Sequence, residues 1–535
     1  MGIAEKRPDV LVSLHGAKVQ QYRQEIALLL QGKLPAGWQW VASSKEAVVA
    51  VTRAEPRIFY KEFLPRSPFE KIKNLVRGSR CQRARRHADT LREAGLASPA
   101  VLGWGRGRKN EFFVTAAFSG VGFFDFLQDH FSGPLHGERL QRKRRLLQEA
   151  GIVIGRLHCQ GISHGDLRQN NLLVQEQEGG FAFCFVDNER NRSWRQVPLK
   201  EIITNLVQFS ICSGHLLTRS DLLRLFNAYQ QAYPRFHGKA RQQLLARVIS
   251  RSRQRLLYYN LKERLDRAAR LEGEQGTGRY HRQSILGGQI ESGCDLQQWF
   301  GQGSFCKDDT HIQVKRLSCP AGVVVAKKFL GRGIFSHPKV WLSRERPPRL
   351  WRMSHLFMAL EIPIARPLGY LLAGRGPWRR QSYFFSEYAA GKQDLHSLAT
   401  EKPDIFATLS EQGVFFRIAF YLARLHNNGY CHGDTKWANI MVAAEGADLL
   451  FIDLDGAGPV KSSLGRGIVK DVSRFVVDMV EHGVPAAMIQ QFIKEYSNMR
   501  VLNRQLVQKK ITPHIKKALI RHGRRDYDVQ GLWSV

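Results

Sequence analysis

The sequence predicts an α+β fold of two tandem bilobal domains, each a small β-rich lobe followed by a helical lobe. Three observations carry that expectation. A polar stretch, His164-Gly165-Asp166-Leu167-Arg168-Gln169-Asn170-Asn171, recurs as His432-Gly433-Asp434-Thr435-Lys436-Trp437-Ala438-Asn439. Each copy follows a helical run ending in Leu-His-x-x-Gly, and leads through an apolar strand into a second short strand that closes on Asp187 or Asp453. Strand patterns precede both copies and helical patterns follow them.

At 535 residues the chain is too long for one ordinary core. The repeat divides it into a first domain at 1–272, a linker at 273–296 and a second domain at 297–535. Hydrophobic residues at 43% and aromatics at 10% suffice for two cores and exclude a disordered chain. The eight cysteines contain no Cys-x-x-Cys pair, which argues against a zinc site or a disulfide framework and for free thiols in a reducing compartment. No apolar signal core opens the chain and nowhere do 18 apolar residues run together, so a cytoplasmic, non-spanning protein is expected. Lys and Arg number 81 against 47 Asp and Glu, a formal net charge of +34. Such a balance favours a polyanionic partner: nucleic acid, an anionic membrane face or a phosphorylated substrate.

The repeated stretch has the residue types that phosphoryl transfer needs. That reaction asks little covalent help of the protein, which positions the acceptor hydroxyl and neutralises charge together with Mg²⁺. Asp166 and Asp434 can accept the hydroxyl proton. Asn171 and Asn439, five residues on, return to the same pocket as metal ligands, and Asp187 and Asp453 supply the second metal contact. These hard oxygen donors suit Mg²⁺. One such stretch could be a polar turn after a buried helix. Two make a stronger case, because His164 and His432, Asp166 and Asp434, and Asn171 and Asn439 are each 268 residues apart, and Asp187 and Asp453 are 266 apart.

In chain order, residues 1 to 45 hold a short helical segment from Tyr22 to Leu30 and no assigned chemistry. Ala47 to Val51 and Arg57 to Phe63 read as two strands around a Glu55-Pro56 turn. Lys61, in the second strand, occupies the place where a kinase keeps the lysine that holds the α and β phosphates. Lys327 repeats it 266 residues later with a shared Lys-x-Phe-Leu. A glycine-rich phosphate loop is not evident, Gly301-Gln302-Gly303 being weak evidence. The helices at Arg80 to Ala94 and Arg349 to Leu360 lack a well-placed glutamate for these lysines: Glu93 lies near a helix end and Glu345 precedes Pro347-Pro348. That partner is left unassigned.

Gly95 to Trp104 then matches Glu361 to Tyr370, and Phe112 to Thr115 and Tyr383 to Tyr388 read as the strand ending at a hinge whose backbone faces adenine. Leu147, Ala150, Ile154 and Leu157 form one helical face, as do Phe415, Ile418, Ala419, Leu422 and Leu425. His158 and His426 belong to this packing, and His164 and His432 brace the loop. Helical segments follow each metal aspartate, at Leu199 to His215, Asp221 to Tyr233, Ile468 to Glu481 and Ala486 to Tyr496. A basic helix at Arg251 to Leu271 leads to the Gly273 to Gly278 linker.

His-Gly-Asp, in place of the His-Arg-Asp of ordinary protein kinases, resembles the atypical and small-molecule kinases. Leu-His-x-x-Gly-x-x-His-Gly-Asp-x-x-x-x-Asn followed by Phe451-Ile452-Asp453-Leu454-Asp455-Gly456-Ala457 is most similar to the lipopolysaccharide core kinases, the Kdo and heptose kinase family. Two tandem copies span nearly the whole chain. The resemblance implies two protein-kinase-like domains. It implies ATP- and Mg²⁺-dependent phosphorylation of a heptose or Kdo hydroxyl of the lipopolysaccharide core or its lipid A-core precursor, at the cytoplasmic face of the inner membrane. The C-terminal run Lys509, Lys510, His514, Lys516, Lys517, Arg521, Arg524 and Arg525 is then a candidate contact with that anionic surface. Arg168 stands where the second copy has Lys436, the compact point charge usual beside a transferring phosphate, so the second copy is favoured for activity. Two rivals stand beside this reading. One is an aminoglycoside- or choline-type phosphotransferase. The other is a catalytically silent adaptor that binds saccharide, or even nucleic acid, although no nucleic-acid-binding motif is present.

Overall fold

The computed structural model describes residues 11–43, 46–65, 77–133, 135–211, 216–274, 276–330, 346–373, 381–444 and 448–534. The chain forms two compact units, Met1–Leu256 and Leu257–Val535. Each has a sheet-bearing part followed by a helical part, the protein-kinase-like arrangement.

In the first unit β1 (Leu11–His15), β2 (Trp38–Val41), β3 (Ala47–Thr52), β4 (Ile58–Phe63), β5 (Val101–Gly107) and β6 (Glu111–Ala116) form an antiparallel sheet in the order β1-β5-β6-β4-β3-β2. Side chains alternate across a strand. Ile58 and Tyr60 of β4 therefore enter a core with Val19, Ile26, Leu29 and Trp38, while Phe63 joins Cys81 and Ala84 of the helix Arg80–Glu93 on the opposite face. Lys61 shares the face of Phe63 and lies between Val49 and Phe113 in register.

The second unit repeats the scheme in seven antiparallel strands, ordered Ala269–Gly273, Gly276–Tyr280, Pro367–Ala373, Gln381–Glu387, Gly322–Leu330, Ile312–Cys319 and Ser304–Asp308. Lys327 lies between Val314 and Phe384 in register, as Lys61 does between its own neighbours.

The stretch expected as a linker, 273–296, is part of this architecture. Its first residues complete a hairpin whose second strand pairs with Pro367–Ala373, and the helix Ile285–Glu291 that follows buries Leu286 in the sheet core. The glycines there reflect crowding: a Cβ on Gly278 would lie 2.1 Å from the Tyr370 carbonyl oxygen. The division between the units instead falls within the helix Gly238–Asp266. Gly301-Gln302-Gly303 closes the helix Leu296–Gln302 and does not form a turn between the strands that precede Lys327.

Below each sheet lies a helical core. Leu147, Ala150, Ile154 and Leu157 of the helix Gly137–Cys159 are buried, and so are Ile418, Ala419, Leu422 and Leu425 of Val414–Asn427, on the spacing the sequence predicts. Leu199–Ser210 and Arg219–Ala232 complete the first core; Arg466–Glu481, Ala486–Arg500 and Arg504–Arg521 complete the second. Residues 212–215, at the end of one expected helix, lie outside the described residues. Among the described residues no helix is long and apolar enough to cross a membrane, and seven cysteines are free thiols.

Candidate active site

In both units the strand lysine reaches the aspartate that follows the second short strand, 126 residues away in sequence. Lys61 Nζ pairs with Asp187 Oδ1. Lys327 Nζ lies 2.7 Å from Asp453 Oδ1 and 2.6 Å from Asp455 Oδ2. Asp187 and Asp453 adopt φ of 62° and 59°, a left-handed conformation that aspartate tolerates better than most residues. Burial pushes both carboxyls up, but the adjoining ammonium groups outweigh it and hold them below the usual carboxylate range.

The carboxylate that the sequence could not assign to the lysine comes from the metal loop. In the second unit it is Asp455, two residues beyond Asp453. The matching acid of the first unit, Glu189, is drawn elsewhere: Arg80, at the start of its helix, donates Nε to Glu189 Oε2 at 3.0 Å and Nη2 to Oε1 at 3.3 Å. These side chains are 5% and 6% exposed. Arg80 Nη1 also donates to the Glu46 and Leu64 carbonyls, both at 3.0 Å. The helix thus gives a cation where the lysine–glutamate pair of kinases takes an acid from it, and its partner is the loop instead of the strand lysine. Glu345, the weak candidate in the second copy, lies outside the described residues.

The catalytic loop is fixed from beneath. Asp471 of Arg466–Glu481 is 0% exposed and accepts the His432 N–H and the Gly433 N–H, each at 2.7 Å, and His426 Nε2–H at 3.1 Å. Tyr496 hydroxyl meets the other nitrogen of His426 at 2.7 Å. In the first unit Asn205 occupies the place of Asp471. Its Oδ1 accepts the His164 N–H and His158 Nε2–H, both at 3.0 Å, and Tyr229 hydroxyl meets His158 Nδ1 at 2.9 Å. An amide has one acceptor oxygen where a carboxylate has two. The Gly165 N–H accordingly turns to Asn191 Oδ1, at 3.3 Å. Burial pushes His158 down to about 4 and lowers His426 as well, so both are neutral structural imidazoles. His164 and His432 brace the turn, Nδ1 of each accepting the N–H of the following Asp166 or Asp434, at 3.1 and 3.3 Å. Glycine is required between them. A Cβ on Gly165 would lie 2.1 Å from the Arg190 Cβ, and one on Gly433 would lie 2.2 Å from the Gly456 carbonyl oxygen.

The loop side chains then converge. Asn171 and Asn439 donate Nδ2 to the carbonyls of Asp166 and Asp434, at 2.8 and 2.9 Å, and Asn439 Nδ2 also lies 3.2 Å from Asp434 Oδ2. Arg168 Nε donates to Asp166 Oδ1 at 3.0 Å, joined by Gln208 Nε2 at 3.3 Å. In the second unit the guanidinium on the base is that of Arg474, paired with Asp434 Oδ1, and the charge of Lys436 contributes to lowering Asp453. Arg80, Glu189, Asn205, Gln208, Asp455, Asp471 and Arg474 were not identified from sequence. The last pairs were accessible in principle, because Asn205 and Asp471, and Gln208 and Arg474, keep the 266-residue offset.

One asparagine and one or two carboxylates per unit fit a Mg²⁺ ion that takes its remaining ligands from water and nucleotide phosphates. Among the described residues no group of three or more His, Cys, Asp and Glu could hold a metal alone.

The sequence model of the lipopolysaccharide kinase (Kdo/WaaP) family matches residues 79–229 and 335–496, together more than half of the chain. No curated protein matches. Among solved structures, WaaP in complex with acyl carrier protein is 19% identical, with 45% of this chain and 98% of that chain covered and a TM-score of 0.33. An aminoglycoside-3'-phosphotransferase of type VIII is 14% identical, with 44% and 99% covered and a TM-score of 0.30. The PknI kinase domain of Mycobacterium tuberculosis, as a C20A_R136N double mutant, is 15% identical, with 41% and 96% covered and a TM-score of 0.26.

Two outcomes follow from this geometry. Arg80→Ala takes from Glu189 its buried bidentate partner, leaving the longer 3.7 Å contact with the half-exposed Arg190, and lowers the stability of the first unit by up to about 3–5 kcal/mol, whereas Arg80→Met with Glu189→Leu recovers most of the loss in urea unfolding. The depressed Asp453 pKa makes the Lys327 pair stabilising above the unfolded aspartate value of about 3.9, and that contribution is lost as pH falls through the folded value. The unfolding midpoints of wild type and Lys327→Met therefore differ most near pH 6, begin to approach one another below about pH 4 and converge only once pH has fallen through the depressed folded value of Asp453.

Proposed function

The chain belongs to the lipopolysaccharide kinase (Kdo/WaaP) family, and from that premise we propose that it transfers the γ-phosphoryl group of ATP to a heptose or Kdo hydroxyl of the lipopolysaccharide inner core. The observation that carries the reading is the same convergence in both units: a strand lysine, a loop aspartate and asparagine, and a second aspartate.

In this reading Lys61 and Lys327 hold the α and β phosphates. Asp166 and Asp434 orient the acceptor hydroxyl and take its proton, a task for a carboxylate on a loop that cannot shift. The hydrogen bonds from the loop amides to Asn205, Asn191 and Asp471 supply that rigidity. Asn171 with Asp187, and Asn439 with Asp453, hold Mg²⁺, which when bound neutralises the charge spread over the transferring group. Lys436 adds a cation beside Asp453; Arg168, turned to Asp166 and 71% exposed, does not repeat that placement. The second unit is accordingly the main transferase.

The helix Arg504–Arg521 supports work at an anionic surface. Val507, Ile511, Ile515 and Leu519 bury one stripe, while Lys509, Lys510, Lys516, Lys517 and Arg521 are exposed and no acidic residue lies within the helix. Near an anionic bilayer each such cation contributes about 1 kcal/mol. We place the protein at the cytoplasmic face of the inner membrane on that ground.

Radiolabelled γ-phosphate from Mg·ATP, followed into purified lipopolysaccharide core, tests the reading. Wild type labels the core, Asp434→Ala lowers the rate by about 10²–10⁴-fold, and Asp166→Ala with Asp434→Ala removes the remainder. Label entering only soluble amino sugars favours the small-molecule phosphotransferase. No label despite nucleotide binding favours the saccharide-binding adaptor.

A further inference from the structure

Before any acceptor arrives, both oxygens of Asp434 are engaged: Oδ2 faces Asn439 Nδ2 at 3.2 Å and Oδ1 pairs with Arg474. Arg474 stands on Arg466–Glu481 with 38% of its side chain exposed. At the same helical place the first unit has a neutral amide, Gln208, which donates to Asp166 Oδ1 and accepts the Leu167 N–H at 3.1 Å. In the first unit the guanidinium on the base comes from Arg168 of the loop itself; in the second it comes from the helix, while Asp471 holds the loop amides without it.

Arg474 makes its ion pair with Asp434. Two acids lie further along the same helix and have partners of their own: Asp478 accepts the Trp437 N–H at 2.5 Å, and Glu481 Oε1 meets His522 Nδ1 at 2.6 Å. A half-exposed guanidinium thus stands on the base. Arginine in such a setting matches planar or tetrahedral oxyanions through paired N–H donors.

We propose that Arg474 forms an oxyanion subsite of the second unit, which binds a phosphate or carboxylate carried by the acceptor near the hydroxyl that meets Asp434. The inference rests on the kinase reading of that unit. Binding the oxyanion draws the guanidinium off Asp434 Oδ1, and the vacated lone pair receives the acceptor hydroxyl. An anionic acceptor therefore opens the base of the second unit, and a neutral one does not.

Calorimetry on the full chain at physiological salt, with Mg²⁺ and a non-hydrolysable ATP analogue, tests the subsite without relying on transfer. The ligands are glucose, glucose 6-phosphate and glucuronate; the proteins are wild type, Arg474→Gln and the surface control Lys494→Gln. Wild type and Lys494→Gln bind at least one of the two anionic sugars about tenfold or more tightly than glucose, and Arg474→Gln loses that preference while binding the nucleotide as wild type does. A gain with glucose 6-phosphate alone assigns the site to phosphate, and one with glucuronate alone to carboxylate. Equal binding of all three sugars by wild type overturns the proposal, as does a preference that survives Arg474→Gln, since the +34 chain would then be attracting anions without a dedicated site. Failure of the kinase reading is recognised separately, by wild type that shows the preference yet labels no acceptor.

Discussion

The ion pair between a sheet lysine and the aspartate after the catalytic loop is the contact on which each unit's site depends. Lys61–Asp187 and Lys327–Asp453 each span 126 residues, joining the strand-built part of a unit to its helical part where the reacting groups gather. A partly buried ammonium and carboxylate are costly to hold apart from one another and favourable together only at short range. The pair therefore fixes the distance between phosphate-binding and metal-binding groups, and the rest of the loop is arranged around it.

Beneath the pair the two units have diverged by compensation. One buried carboxylate, Asp471, serves three N–H groups in the second unit, while Asn205 and Asn191 divide the same task in the first. Two neutral amides avoid the desolvation of a buried charge but need a second side chain, and Ala457 shows that the second unit has no such side chain at the place of Asn191. A similar exchange separates Asp455, which supports Lys327, from Glu189, which supports Arg80. Copies that keep the loop conformation while exchanging its supports are under constraint at the loop itself.

What could be read from sequence was what recurs at short range. The His-Gly-Asp stretch, the lysine strands and the helical stripes all carry their signal within about a dozen residues, the reach of hydrophobic periodicity. Arg80 and Glu189 lie 109 residues apart, and neither residue type nor spacing announces their pairing. The glycines after Leu271 were misread because crowding between strands and flexibility call for the same residue; only the neighbouring Tyr370 carbonyl distinguishes them. Arg474 carries no signal in the sequence, where Ile468 to Glu481 reads only as a helical segment, since its meaning comes from the loop it touches.

The most direct measurement is the stoichiometry of Mg·nucleotide binding to the purified full chain, by calorimetry with a non-hydrolysable ATP analogue. Two sites per chain are predicted, with Lys61→Met and Lys327→Met each removing one and leaving the other. A single site that only one substitution abolishes, or no binding at all, would contradict the presence of two equivalent phosphate-and-metal pockets.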